Sequence, residues 1–245
     1  MGLIDAHVHT GDHLLNVKEF IKRGELRVAI NSTSSQDAAE VLRLKREMSE
    51  AVFAFIGLHP NSEQSDISEV LKLITAQSEL IDGVGEIGLD RRVEEQSVIE
   101  NFRQQLEMAE RLSKPVNLHS RGRLKDIIEI LDSYRLQGVL FHWFDGTDSE
   151  LTRVCDKGYF VGFGPASVYS KRLQKLMIKC PLENILTESD APVRYSGCFE
   201  GAETDSRFIS SVVFSISFLK KSDAVEIEKE IELNFSRYIK RPIHQ

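Results

Sequence analysis

Two histidines one residue apart, in Asp5-Ala6-His7-Val8-His9, are the first residues in this sequence that could do chemistry. In an extended strand alternate side chains share a face, so Asp5, His7 and His9 point one way and Ile4, Ala6 and Val8 the other. Two imidazoles on one face can grip a single cation, and Asp5 is placed to hydrogen-bond behind them. One histidine ending a strand and the other on the surface is the plainer alternative, but the opposite face is too cleanly apolar for it. In Gly85-Glu86-Ile87-Gly88-Leu89-Asp90 a carboxylate stands among glycines, where it can lie between two metal ions because the backbone can approach closely. In isolation the same segment also reads as a surface glutamate in a glycine turn. Asn117-Leu118-His119-Ser120-Arg121 offers His119 as a ligand and Arg121 as a clamp for an oxyanion or phosphate.

Phe141-His142-Trp143-Phe144 sets a histidine in apolar company, which alone suits a core residue and beside the other histidines suits a ligand. Thr187-Glu188-Ser189-Asp190-Ala191-Pro192 supplies Asp190, able to ligate a metal and accept a proton from water, or simply to cap a turn. The imidazoles of His7, His9, His119 and His142 and the carboxylates of Glu86 and Asp190 make six donors. Six are too many for one tetrahedral catalytic zinc and suit two cations. Mixed nitrogen and oxygen ligation without thiolate fits Zn²⁺ or Mn²⁺, and Mg²⁺ stays open as the working ion.

Such a set needs elements that bring it together. Short apolar segments predict strands at 2–9, 26–31, 51–58, 82–87, 115–119, 137–142, 158–163 and 183–188. Helical spacing predicts helices at 13–23, 35–50, 66–79, 95–113, 122–135, 148–156, 170–179, 204–219 and 223–239. Alternation of strand and helix implies a parallel sheet, and eight units suggest a closed (β/α)₈ TIM barrel, one domain over residues 1–245. Five of the seven histidines (His7, His9, His59, His119, His142) then fall at C-terminal strand ends, the face where barrels of this kind carry their sites. His13 and His244 carry no functional expectation.

The chain has 245 residues, 31 basic and 38 acidic, for a net charge of −7. With 41% hydrophobic and 28% charged residues it belongs with globular chains and not disordered ones. The negative balance argues against coating duplex DNA with a broad basic face, though bound cations can supply a positive field locally. Cys155, Cys180 and Cys198 are too few and too scattered for a disulfide framework, so a reducing, cytoplasmic location is expected. No apolar run approaches a membrane span, and a monomer is expected. Lys220-Lys221 and Lys240-Arg241 read as solvated helix ends, and Cys198 as a free surface thiol.

Taken together, these segments resemble the TatD-type metal-dependent hydrolases and deoxyribonucleases, a branch of the amidohydrolase-like TIM barrels. The resemblance runs in order along nearly the whole chain, including Gly57-Leu58-His59-Pro60, Tyr159-Phe160-Val161-Gly162 and Asn234-Phe235; the Gly85–Asp90 motif with His7 and His9 is its most telling pair. It implies that His7, His9 and Asp190 hold one divalent ion. Glu86 would bridge to a second ion held by His119 and His142. Asp190 would also act as the base on the attacking water, with His59 and Arg121 contacting the substrate phosphate. The implied reaction is in-line attack of metal-activated water on a phosphodiester, often from the 3′ end of single-stranded DNA.

Two regions depart from the family pattern. Between Val193 and Asp205 the family's basic loop is largely gone, Glu200 and Asp205 are new acids, and Glu203 stands where the family's glutamate approaches a further metal. Trp143 and Asp145 replace the usual Cys and Ser. Both changes lie on the substrate side. They leave open a small phosphoester, or an ester or amide, as substrate on the same two-metal barrel. The Asp5–Thr10 opening also resembles the polymerase-and-histidinol-phosphatase barrels, which the Glu86 motif fits less well. A barrel that keeps metal only as a binding module is the remaining alternative, and retention of all six donor types speaks against it.

Overall fold

Eight short apolar segments pair in parallel and alternate with helices along the chain. The computed structural model describes residues 2–62, 66–93 and 95–242; His244 lies outside them. The strands are β1 (Leu3–Val8), β2 (Leu26–Asn31), β3 (Val52–Phe55), β4 (Val84–Gly88), β5 (Val116–His119), β6 (Val139–Phe141), β7 (Phe160–Phe163) and β8 (Ile185–Thr187). The helices are α1 (His13–Lys22), α2 (Ser35–Glu47), α3 (Ile67–Ala76), α4 (Gln96–Arg111), α5 (Leu124–Leu131), α6 (Asp148–Asp156), α7 (Ala166–Tyr169), α8 (Lys171–Lys179), α9 (Ile209–Lys220) and α10 (Ala224–Ile239).

Strands β1–β3 form one parallel run and β4–β8 another. Backbone bonds span both seams. Asp82 N–H donates to Ala54 O (2.8 Å) and Gly85 N–H to Ile56 O (3.1 Å) on one side. On the other, Asp190 N–H donates to His7 O (3.0 Å) and His9 N–H to Ala191 O (2.9 Å). The result is a (β/α)₈ barrel whose strand ends share one mouth. Ile4, Ala6 and Val8 are buried beneath the helix layer, while Asp5 and His7 are buried on the barrel side, as the alternation of β1 requires.

The opposite mouth is plugged by α10. Phe235 packs edge-on against Phe53 at 4.9 Å between ring centroids. Tyr238 donates its hydroxyl to Val116 O, at the start of β5 (3.0 Å). Asn234 donates to Leu182 O and Ile185 O, both at 2.8 Å, pinning the helix to the start of β8. Phe235 and Tyr238 are fully buried.

Expected and observed elements differ at several places. The strand expected over 51–58 ends at Phe55, leaving His59 on the loop beyond it. A short unexpected helix, Ala166–Tyr169, precedes the one expected at 170–179, which starts where it was expected, capped by the Ser170 hydroxyl. The helix expected from 204 starts later: Asp205 caps a single tight turn, Ser206–Phe208, before α9 begins. Lys220 and Arg241 are not simply solvated. Lys220 donates to Ile178 O (2.8 Å) at the end of α8, and Arg241 pairs with Asp82 (2.9 Å). The apolar stems of such long side chains pack while their heads find partners.

Candidate metal centre

All six donor residues reach the shared mouth. His7 lies in β1 and His9 one residue past it, Glu86 in β4, His119 at the end of β5, His142 one residue past β6, and Asp190 three residues past β8. Three groups of these side chains bring one donor atom each to within 4.8 Å of the others: His7, His9 and Asp190; His7, Glu86 and His142; and His59, Glu86 and His119.

Around the histidine pair, His7 Nε2 is 3.2 Å from His9 Nε2. Both nitrogens lie 3.4 Å from Asp190 Oδ1. Glu86 Oε2 is 3.6 Å from His7 Nε2 and 3.4 Å from His9 Nε2. A tetrahedron with metal–ligand bonds near 2.0–2.2 Å has edges of about 3.3–3.6 Å, so these separations suit donors facing a common ion. The tautomers agree. Asn117 donates its amide to Ala6 O (3.0 Å), which turns its Oδ1 to accept from His7 Nδ1–H (3.0 Å). His9 Nδ1–H donates to Asn31 O (3.1 Å). In the neutral rings both Nε2 lone pairs therefore face each other and two carboxylate oxygens. Only a cation or a proton between them makes that arrangement favourable.

The other oxygen of Glu86 serves a different group. Oε1 lies 2.8 Å from His119 Nδ1 and 2.8 Å from His142 Nε2. His119 Nε2–H donates to Asp90 Oδ2 (2.7 Å), so its Nδ1 carries the lone pair. Glu86 thus stands between the two groups with one oxygen toward each, the disposition of a bridging carboxylate. His59 is built differently. Its Nδ1 accepts from Asn61 N–H (3.1 Å), which leaves Nε2 protonated and 3.4 Å from Glu86 Oε1. His59 offers a hydrogen-bond donor, not a lone pair. The donor chemistry therefore fits divalent metal.

Electrostatics follow from burial against these partners. Burial works to raise the Glu86 carboxyl, but His142, His59 and His119 outweigh it and hold it well below the usual range. Burial likewise opposes charge on Asp190, yet the imidazoles of His7 and His9 hold its pKa down. Burial works to lower His9, and the neighbouring Asp190 and Glu86 nonetheless push it up to about 9. Burial and nearby His7 bring His142 down to about 4. Glu188 is raised well above the usual carboxylate range by burial and then by Asp190.

A cavity of about 410 Å³ opens over the donors. His59, Arg92, Arg121 and Trp143 are among the side chains on its wall. Arg121 is held by Asp90 Oδ2 at 2.5 Å, and its Nε is buried without a partner among the described residues. Glu203 is exposed on its loop, and none of the donor groups among the described residues includes it.

Asp5 does not stand behind the two histidines. Its carboxylate is taken by Ser189, whose N–H donates to Oδ1 (2.8 Å) and whose hydroxyl donates to Oδ2 (2.6 Å). Two residues deeper in the barrel than His7, it meets the neighbouring β8 connection before it could reach an imidazole. The groups behind the donors are instead Asn117, the Asn31 carbonyl and Asp90. Sequence reading assigned none of them a role. Asn117 and Asp90 were reachable, since Asn117 shares a strand face with His119 and Asp90 ends the Glu86 motif.

Comparison with known proteins gives a consistent picture. The family model described as TatD related DNase matches residues 4–240. A metal-dependent hydrolase of Methanocaldococcus jannaschii, itself uncharacterized, is 28% identical over 97% of each chain. The deoxyribonuclease TATDN3 of Homo sapiens is 26% identical, covering 98% of this chain and 94% of that one. Among solved structures, the Escherichia coli TatD homologue YjjV superposes with a TM-score of 0.87 at 24% identity, covering 98% of both chains.

Proposed function

Because the chain belongs to the TatD related DNase family and is a metal-dependent hydrolase of that kind, we propose that it cleaves phosphodiester bonds of DNA, at single-stranded or 3′ ends, with two divalent ions. The observation that carries this reading is Glu86, which turns Oε1 to one donor group and Oε2 to the other. In this reading His7, His9 and Asp190 hold one ion, His119 and His142 the other, and Glu86 both. Mg²⁺, Mn²⁺ and Zn²⁺ are the candidate ions. Such ions supply Lewis acidity and a nucleophilic water at neutral pH.

The chain's own groups do the rest. Asp190 orients the attacking water and takes its proton. His59 Nε2–H donates to a non-bridging phosphate oxygen. Arg121, held in place by Asp90, offers its remaining N–H groups to the same phosphate. The chain is taken as one domain, 1–245, acting as a monomer in the cytoplasm, a compartment read from its having only three cysteines, two of which, Cys155 and Cys180, the fold brings to 3.9 Å between sulfurs.

A small phosphoester is the second reading, favoured by the net charge of −7 and by the acids that replace the basic loop after Asp190. Metal-stripped protein, reloaded with each ion and given 3′- and 5′-labelled single-stranded DNA beside bis-p-nitrophenyl phosphate, separates the two. Shortening of DNA from one end, abolished in Glu86→Ala, is the expected outcome. Cleavage of the small ester alone would overturn the DNA assignment and leave the two-ion site standing.

A further inference from the structure

One wall of the cavity takes no part in the chemistry above. It is formed by Trp143, the chain's one tryptophan. Trp143 follows His142 directly and has φ +44°, a left-handed conformation in which a bulky residue is rarely found. The surrounding structure holds it there. Its N–H donates to Glu188 Oε1 at 2.6 Å, and Glu188 is fully buried. Its indole stacks on Tyr195, with centroids 5.4 Å apart and planes at 19°. Tyr195 is buried in turn and donates its hydroxyl to Ser189 O (2.7 Å). Trp143 borders the cavity, and Tyr195 is absent from its wall among the described residues.

A residue meant only for the core would be buried, whereas Trp143 is only half-buried and lines the cavity that holds the proposed metal donors. Conformations this uncommon persist where the surroundings over-determine them, and they cluster at ligand clamps. A rigid aromatic face beside a phosphate-binding cavity recognises a flat aromatic group by stacking.

We propose that Trp143 is the stacking platform for the base of the nucleotide being cleaved, so the substrate class is nucleotide-bearing and single-stranded or unpaired at that position. The inference rests on the phosphodiesterase reading above and adds the group that selects the substrate. Stacking tolerates any base, so preference between bases follows ring size, purines over pyrimidines.

Because there is one tryptophan, its fluorescence excited at 295 nm reports this wall alone. With the Mg²⁺-loaded protein, dAMP should quench it saturably and deoxyribose 5-phosphate should not. Trp143→Ala should raise KM on single-stranded DNA by about 5- to 150-fold, the range that loss of one stacked base implies, with kcat little changed. Trp143→Phe should restore most of that loss, and an oligonucleotide whose terminal nucleotide is abasic should be insensitive to both changes. Equal quenching by the two ligands, no quenching at all, or the same KM for Trp143→Ala and the unaltered protein would overturn the inference. Quenching by dAMP in a protein that leaves DNA intact would instead sink the phosphodiesterase reading and keep the platform. DNA cleavage with neither quenching nor a KM change would do the reverse.

Discussion

His9 illustrates how a single side chain reports on the ion. Without metal, Asp190 and Glu86 keep it protonated up to a pH of about 9. In the proposed reading His9 is a ligand, and a ligand nitrogen must be deprotonated, so an arriving cation would displace that proton, and affinity should rise with pH until about 9 and fall as pH drops below it. Calorimetric titration of metal-stripped protein in buffers of different ionisation enthalpy should show proton release at pH 7 that disappears above pH 9. Uptake of protons, or none at pH 7, would contradict this placement of His9. Behind the donors, Asn117→Leu removes the acceptor that orients His7 and should cost about 10- to 100-fold in metal affinity, with circular dichroism unchanged. Asp190→Asn is a clean test of the proposed proton acceptor. Asp190 has φ +49°, which Asn tolerates as well as Asp, so the loop should keep its shape. Turnover should fall by about 10²–10⁴-fold while metal content, read by mass spectrometry, stays largely intact.

At the scale of elements, the join between β4 and β5 sets where Glu86 and His119 meet. Gly88 ends β4 with φ +146°, and a methyl group there would stand 2.0 Å from His119 O. Gly88→Ala should therefore cost about 1–3 kcal/mol or more and move His119 away from Glu86 and the proposed ion. Gly158→Ala is the matched control, since its φ of +72° is also left-handed but nothing lies within 4 Å of the added carbon. Both variants should lower the Tm, and only Gly88→Ala should lower the metal bound per chain. Equal metal content in the two would show that the β4–β5 contact does not position the site.

For the whole molecule, the two mouths of the barrel divide the work. Phe235, in the plug of α10, packs on Phe53 at the mouth remote from the donors. Phe235→Ala should remove about 3–5 kcal/mol of stability, seen as a large fall in Tm, while kcat/KM well below that Tm stays near that of the unaltered protein. Net charge acts at the same scale. With −7 overall and Arg92 and Arg121 the only arginine or lysine side chains on the cavity wall among the described residues, few counterions would leave DNA bound there as proposed. The slope of log(kcat/KM) against log[salt] should be shallow, about −0.7 to −1.4 for one or two phosphate contacts on a single strand. A slope several times steeper would mean a basic track outside the cavity.

Much of this protein is legible in one dimension. The alternation of strands and helices, the buried face of Ile4, Ala6 and Val8, and six donors at strand ends follow from side-chain period and residue type, which are local properties. α6 was expected at 148–156 and is found at Asp148–Asp156, because Thr147 and Glu150 form a capping box. The start of α9 and the short helix Ala166–Tyr169 were not foreseen, since a single helical turn carries too few residues to show a period. The roles of the donors' supporting groups were least legible. Asn117 reaches His7 across 110 residues of sequence, and Ser189 reaches Asp5 across 184. Such bonds exist only once β1 lies beside β8 and faces β5, so only the closed barrel decides which nitrogen of His7, His9 and His119 carries the lone pair, which oxygen of Glu86 serves which group, and that Asp5 braces the β8 connection instead of the two histidines.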